Sequence, residues 1–518
     1  SQPNAHTRRY DRQLRLWAAS GQQALESSRV LVIRGTATST SILKNLVLPG
    51  IGYFTILDAG DVTPEDAGNN FFLHYNSIGK PRAEEAVRFL NEMNDSVQGE
   101  ADTSDISLVI TQRPEYFKTF HLVIAHNTSE SVLAPVSKIL WEDPLAPPLI
   151  VVRSAGFLAD FSVQFHEHTI VDSHSEDLPS YRLDQPIPPL LEHALSLDLD
   201  GMDVTDHGHI PYFAILVRAM YEWKRAHGGN APSYKELKDF KEQIVKMKKK
   251  DDEENFDEAV SQVYKVYQKT TVPSNIQTMF SDPKCVNLDE NSSPFFILLH
   301  ALSIYTKSSK LSPNLLPLSP TLPDLKSDTK SYIHLQQMYK DQANAEKAEF
   351  KSILQEVVKS IGSRVISDSL IDEFVRNCHQ LRLMRGKAWG ESDKKGLLQS
   401  ILTNPAQVST NLALSALFAY EAKNFHFPTP GSDEDLAVLT TWVYDVLAKA
   451  EWKSEEQHLA NALAEIVRAP TADLPTTAAL LGGFIAQEAI KLITRQYIPI
   501  DGTCVIDMIS STTGTIKV

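Results

Sequence analysis

Residues 30–46 read VLVIRGTATSTSILKNL. An apolar run, a short turn and an amphipathic stretch follow one another, the strand–loop–helix order of a nucleotide-binding unit. In such a unit some turn positions take a positive φ, and others must let phosphate oxygens reach the N–H groups of the helix N-terminus. Glycine serves both needs. Here Arg34, Thr36, Ala37 and Ser39 stand at those positions, and their side chains occupy the phosphate space. The hydroxyls of Thr36, Thr38, Ser39 and Thr40 could bind an anion beside Arg34; alternatively Thr38, Ser39 or Thr40 caps the helix.

Outward from this stretch, the alternation continues. YFTILDA (53–59), SLVI (107–110), HLVIA (121–125) and PLIVV (148–152) read as strands, and 41–48, 83–94 and 130–141 as helices, with Pro49 and Gly50 stopping the first. Continuous apolar strands between helices predict an α/β fold with a mainly parallel, doubly wound sheet. From 166 to 474 helical periodicity dominates, as in 212–226, 256–268, 332–361 and 433–450. α/β character returns with a helix over 476–494 and a strand over 504–508. Gly482 and Gly483 inside that helix imply close approach to a neighbouring backbone. The expected organisation is therefore 1–165, a large helical insertion 166–474, and 475–518 completing the first fold. Within the insertion, 246–259 switches from basic to acidic, the mark of a solvated helix face or a mobile loop. The proline-rich 311–325 cannot be helical and reads as an ordered connector or a partner-binding segment.

A chain of 518 residues holds more than one ordinary core, and its formal charge of −15 excludes a general nucleic-acid binder. Cys285, Cys378 and Cys504 lie far apart and form no CxxC pair, which fits a reducing compartment. The N-terminus lacks the apolar segment of a secretory signal, and FFILLHALSIY and AALLGGFIAQEAIKLI read as too short or too interrupted to span a bilayer. The expectation is a soluble intracellular protein with no membrane partner.

RYDRQLRLW (9–17), ILKNLVLPGIG (42–52), EDAGNNFF (65–72), IGKPRAEEA (78–86), YRLDQPIP (181–188) and GGFIAQEAIKLIT (482–494) occur in that order. Together they resemble the ubiquitin-activating-enzyme superfamily, which adenylates the C-terminus of ubiquitin-like modifiers. The resemblance is strongest to the non-catalytic, regulatory type of subunit in heterodimeric activating enzymes for Nedd-type modifiers, and it covers both ends and most of the middle of the chain. It implies a Rossmann-like, ThiF/MoeB-type adenylation half, interrupted by a helical insertion. It also implies a catalytic subunit as partner that binds ATP and Mg2+ and carries the thioester cysteine. The Nedd-type modifier is then bound by the pair, with the conjugating enzyme met indirectly, upstream of cullin neddylation in cytoplasm and nucleus. A subunit of the SUMO-type enzyme fits less well because that type lacks the long insertion. A free-standing Rossmann enzyme and an inert scaffold of the same fold are the remaining readings.

Against the catalytic type of half, this chain has lost the glycine turn and carries Gly68, Asn69 and Asn70 for Asn-Arg-Gln, Arg82 for the catalytic lysine, and Thr128 where a magnesium-binding aspartate is aligned. Asp58 survives where an acid would meet a ribose hydroxyl, or it caps a turn. No cysteine is followed by threonine, and Cys378–His379, the one pair resembling an activated thiolate, are adjacent and diverge on a helix. The resemblance assigns Arg12 a role in trans, on ATP phosphates in the partner's site, where a guanidinium forks onto phosphate oxygens. A structural ion pair is the alternative for Arg12, and Arg15 the fallback for the trans role. The resemblance further implies partner contact at His209, Asp324, Tyr332 and Gln337. His166 and His168, with His207 and His209, supply only pairs of imidazoles, so no metal site is expected.

Overall fold

Strands β1 (Arg29–Ile33), β2 (Tyr53–Leu57), β4 (Leu122–His126) and β5 (Leu149–Ala155) are buried almost throughout, in keeping with their largely apolar sequences. The computed structural model describes residues 4–175, 179–363, 365–391, 393–449 and 456–518. One sheet of eight strands runs Thr512–Ile516, Thr503–Asp507, β6 (Leu158–Gln164), β5, β4, β1, β2, β3 (Gln98–Asp102). Pairing is parallel from β3 to β5 and antiparallel beyond, with Val30 set between Phe54 and Leu122.

The strand expected over 107–110 is instead part of a helix, Ile106–Gln112. Asp105 caps it, its carboxylate accepting the N–H groups of Ser107 and Leu108. The true edge strand, β3, reads QGEAD and is at most half-buried, so no apolar run marks it.

Helix α2 (Ala37–Val47) lies under the C-terminal helix Pro475–Thr494, and both feed one core through Ile42, Leu46, Leu481, Ile485 and Ala489. The close approach occurs at Gly482, where a Cβ would meet Ser41 Oγ at 2.3 Å. Gly483 faces open space. By length and apolar composition Pro475–Thr494 could cross a membrane, contrary to the expectation from sequence; more than half of it is buried in this core.

The chain divides into two units, Ser1–Ile170 with Leu383–Val518, and Val171–Arg382. The boundary expected at 474 thus falls elsewhere. Helices Pro405–Asn424, Asp433–Lys449 and Glu456–Arg468 share a core with β5, β6 and the C-terminal strands through Val408, Leu412, Leu463, Leu158 and Val505. They follow the antiparallel half of the sheet because its apolar face needs a cover.

The second unit is helical around Tyr212–Ala226 and Thr329–Ile361. Arg182 forks onto Glu346 at 2.7 and 2.9 Å, both buried, and Glu346 also accepts the N–H of Leu318. The proline-rich stretch is an ordered connector, with Leu315, Leu316, Leu318 and Leu322 buried. The charge switch at 246–259 is a folded corner: Lys248 reaches Asp257 at 2.6 Å, and Glu253 pairs with buried His207 at 2.6 Å.

Candidate functional site

At the turn after β1, Arg34 adopts a φ of 70°, so the chain makes the left-handed turn without glycine. Thr36, rather than the later hydroxyls, caps α2, accepting the N–H of Ser39. Its Oγ1 also lies 2.7 Å from Nδ1 of His126, whose Nε2 lies 2.9 Å from Ser154 Oγ. Burial pushes the His126 imidazole down to about 4, so it is neutral at pH 7.

The two positions that would bind phosphate are engaged within the chain. Asp473 accepts both the N–H of Thr38, at 2.9 Å, and its hydroxyl, at 2.6 Å. A carboxylate thus sits at the N-terminus of α2, where a phosphate would otherwise be held. Arg82, in place of the lysine, donates to Asp58 through Nε at 2.8 Å and to Asp66 through Nη1 at 2.8 Å. Asp58 also accepts the N–H groups of Gly35 and Gly60. Burial pushes the Asp58 carboxyl up, but the hydrogen bond and charge of Arg82 and these two N–H groups outweigh it, and the net displacement is downward. Asp58 therefore serves as the hub of a buried ion-pair network. Burial lowers the Arg34 guanidinium from its ordinary value against the pull of Asp58, and its Nη1 donates to the carbonyl of Asn127.

Asn70 accepts from Thr40 Oγ1 at 2.9 Å, Asn69 lines the remaining space, and a Cβ at Gly68 would point into open space. Thr128 is buried with its hydroxyl on the carbonyl of His126. What remains is a cavity of about 230 Å3 between Arg34, Asp66, Arg82, His126, Phe427 and Asp473. The residues present do not fit a nucleotide triphosphate with its magnesium: an acid holds the phosphate position, and the cations already have carboxylate or carbonyl partners.

The helix α1 (Ala5–Glu26) presents a different picture. Tyr10 and Trp17 are buried and anchor it, Asn94 Nδ2 donating to the Tyr10 hydroxyl at 3.1 Å. The helical path breaks at Ala18, which takes φ 55° and ψ −178°. Gln496 Nε2 donates to the carbonyl of Trp17 at the break. Arg12 lies on the segment before it, exposed and with no hydrogen bond or ion pair among the described residues. Arg15 is engaged by Asp11 at 3.0 Å.

Burial pushes Cys285 up to about 12, Cys504 up to about 11, and Cys378 well above the usual thiol range. Cys378 Sγ and His379 Nε2 both point to the carbonyl of Pro317, at 3.8 and 2.9 Å, so they form no dyad. Burial holds the His379 imidazole down at about 4.

In the helical unit His209 is exposed with Nδ1 at 2.6 Å from the carbonyl of Thr205, and Asp324 is exposed nearby in sequence to Leu325, which lines the same small cavity as His209. Tyr332 is half-buried against the helical core, while Gln337 is exposed and donates to Asp341. His166 stacks on Trp141 and His168 is buried; among the described residues no cluster of three metal-ligating side chains occurs.

The residue that sequence reasoning missed is Asp473. It lies 435 positions from Thr38 in an unremarkable turn, and no local pattern couples the two.

Residues 10–127 match the ThiF family. Over 98% of this chain, the sequence is 35% identical to the NEDD8-activating enzyme E1 regulatory subunit of Xenopus laevis, covering 98% of that protein. It is 34% identical to the Nedd8-activating enzyme E1 regulatory subunit of Drosophila melanogaster, over 99% of this chain and 97% of that one. The likeness extends to plants: the regulatory subunit AXR1 of Arabidopsis thaliana is 30% identical over 98% of this chain and 96% of its own.

Proposed function

The chain belongs to the regulatory subunits of the NEDD8-activating enzyme E1, and from that premise we propose that it completes the ATP site of a catalytic subunit by lending it Arg12. It works in neddylation as one half of a heterodimer. The catalytic subunit binds ATP and Mg2+, adenylates the NEDD8 C-terminus and takes the modifier as a thioester. Arg12 enters that site from α1 and neutralises charge on the departing pyrophosphate, a task suited to a guanidinium that is always charged. His209, Asp324, Tyr332 and Gln337 lie on the surface that meets the catalytic subunit or the modifier, and the complex works in cytoplasm and nucleus.

One observation carries this reading. Arg34 and Arg82 at the degenerate turn, and Arg15 on α1, are all engaged inside the chain, whereas Arg12 is exposed and unengaged among the described residues. The turn occupied by Asp473 and the three cysteines, whose thiols burial raises, support it.

In a reconstituted heterodimer, Arg12→Ala slows ATP:pyrophosphate exchange by about 10²–10³-fold, the range for loss of one donor to developing charge. Exchange at the wild-type rate, with the complex shown intact by size exclusion, removes the role in trans.

A further inference from the structure

The turn 469–473 joins helix Glu456–Arg468 to the C-terminal helix and crosses the mouth of the degenerate cradle. Pro470, Thr471 and Asp473 line the cavity there, with Phe427 beside them. The turn is pinned on both sides. Ala472 accepts the N–H of Gly156 from the β5–β6 hairpin at 3.0 Å, and Thr477 Oγ1 donates to the Gly156 carbonyl at 2.7 Å. Asp473 then places both carboxylate oxygens on Thr38, one on the N–H and one on the hydroxyl. α2 runs eleven residues, so its N-terminus carries the full partial charge that attracts an anion. Two guanidinium groups, Arg34 and Arg82, line the same cavity.

We propose that Asp473 is a tethered anion standing in for nucleotide phosphate at the N-terminus of α2, and that the strap 469–473 it anchors latches this half of the fold shut. The latch turns a ligand site into an internal joint between the first βα unit and the segment leading to the C-terminal helix. Because the occupant is covalently attached, its effective concentration excludes free phosphate and nucleotide from the cradle. This inference concerns the chain's own half and stands whether or not Arg12 reaches a partner's site.

The test compares wild type, Asp473→Ala and Asp473→Asn in the intact heterodimer, by thermal unfolding in chloride and in inorganic phosphate at equal ionic strength. In chloride Asp473→Ala lowers Tm by about 2–5 °C, the size expected for a lost cap in a domain of this class. Phosphate restores most of that loss saturably, while leaving wild type unchanged. Asp473→Asn keeps the shape and one acceptor, so it folds even where the alanine variant does not. Hydrogen exchange at 469–475 and in the first turn of α2 is then at least tenfold faster than in wild type, because a charge-assisted bond has become a neutral one. A Tm loss that phosphate does not restore, wild type stabilised by phosphate as strongly as the variant, or unchanged exchange in Asp473→Asn each overturns the latch.

Discussion

The turn at residues 34–40 and the α1 segment at 11–17 both carry arginines and lie in the same unit, yet they treat their polar groups in opposite ways. At the turn each cation, acid and hydroxyl finds its partner within the chain, through Asp58, Asp66, Asp473, Asn70 and His126. On α1 the apolar residues Tyr10 and Trp17 are fixed while Arg12 is left to solvent. A pocket relieved of its ligand must satisfy its own buried groups, because an unpaired one costs about 1–3 kcal/mol or more. A group that acts on another molecule must stay unsatisfied at home. Internal pairing at the turn and exposure at Arg12 are what the proposed role in trans requires.

The largest expected effect breaks the internal side of this contrast. Arg82→Ala leaves the buried Asp58 and the half-buried Asp66 without their cation and lowers stability by about 3–5 kcal/mol in urea unfolding. Exchange by the heterodimer that remains assembled keeps its rate; a loss equal to that of Arg12→Ala would return the turn to the catalytic machinery. The same network sets an acid limit. Asp58 has a native pKa below its ordinary value, so its contribution is complete above the unfolded value of about 3.9 and is lost as pH falls through the native value. Arg82→Ala flattens that acid-side slope.

The external side is sharpened next. Arg12→Ala costs its 10²–10³-fold in exchange, whereas Arg15→Ala removes only an exposed pair with Asp11 and leaves the rate within about threefold. Equal losses at both positions would make the segment a general basic surface. Smaller again are the paired glycines beneath α2. Gly482→Ala drives a Cβ into Ser41 and costs about 1–3 kcal/mol, while Gly483→Ala meets nothing and gains about 1 kcal/mol from helix propensity. Thermal unfolding of the two variants resolves the opposite signs. The smallest effect is at the break in α1: Ala18→Gly removes a strained positive φ and stabilises by about 0.5–1 kcal/mol with exchange unchanged.

Much of the fold could be read before the coordinates, and for physical reasons. β1, β4 and β5 are buried along most of their length and carry the apolar runs VLVI, LVIA and LIVV, and helix Glu130–Trp141 has the bounds expected of it. β3 escaped because an edge strand with exposed faces needs no apolar run, and SLVI misled because four apolar residues serve a short capped helix equally well. The extent of the insertion escaped for a related reason. Helices 405–424, 433–449 and 456–468 have the same periodicity whether they cover a sheet or each other. At the site, the missing glycines and the altered lysine were legible because they are absences within a local motif. Their replacements were legible only in part: Arg82 stands where the lysine would, but its partners Asp58 and Asp66 come from separate loops, and Asp473 from the far end of the chain.

The pairing of α2 with Pro475–Thr494, and of β6 with Thr503–Asp507, also sets a timetable for synthesis. A ribosome delivers α2 early and then adds about 430 residues, from Leu48 to Leu474, before the helix that covers α2 begins. At about 5–20 residues per second this interval lasts from about twenty seconds to about a minute and a half. Throughout it Ile42, Leu46 and their neighbours lack that cover, although Val171–Arg382 is completed as a contiguous unit before the interval ends. The nascent subunit is thus most vulnerable to aggregation at its oldest residues, and a chain released before residue 475 never closes them.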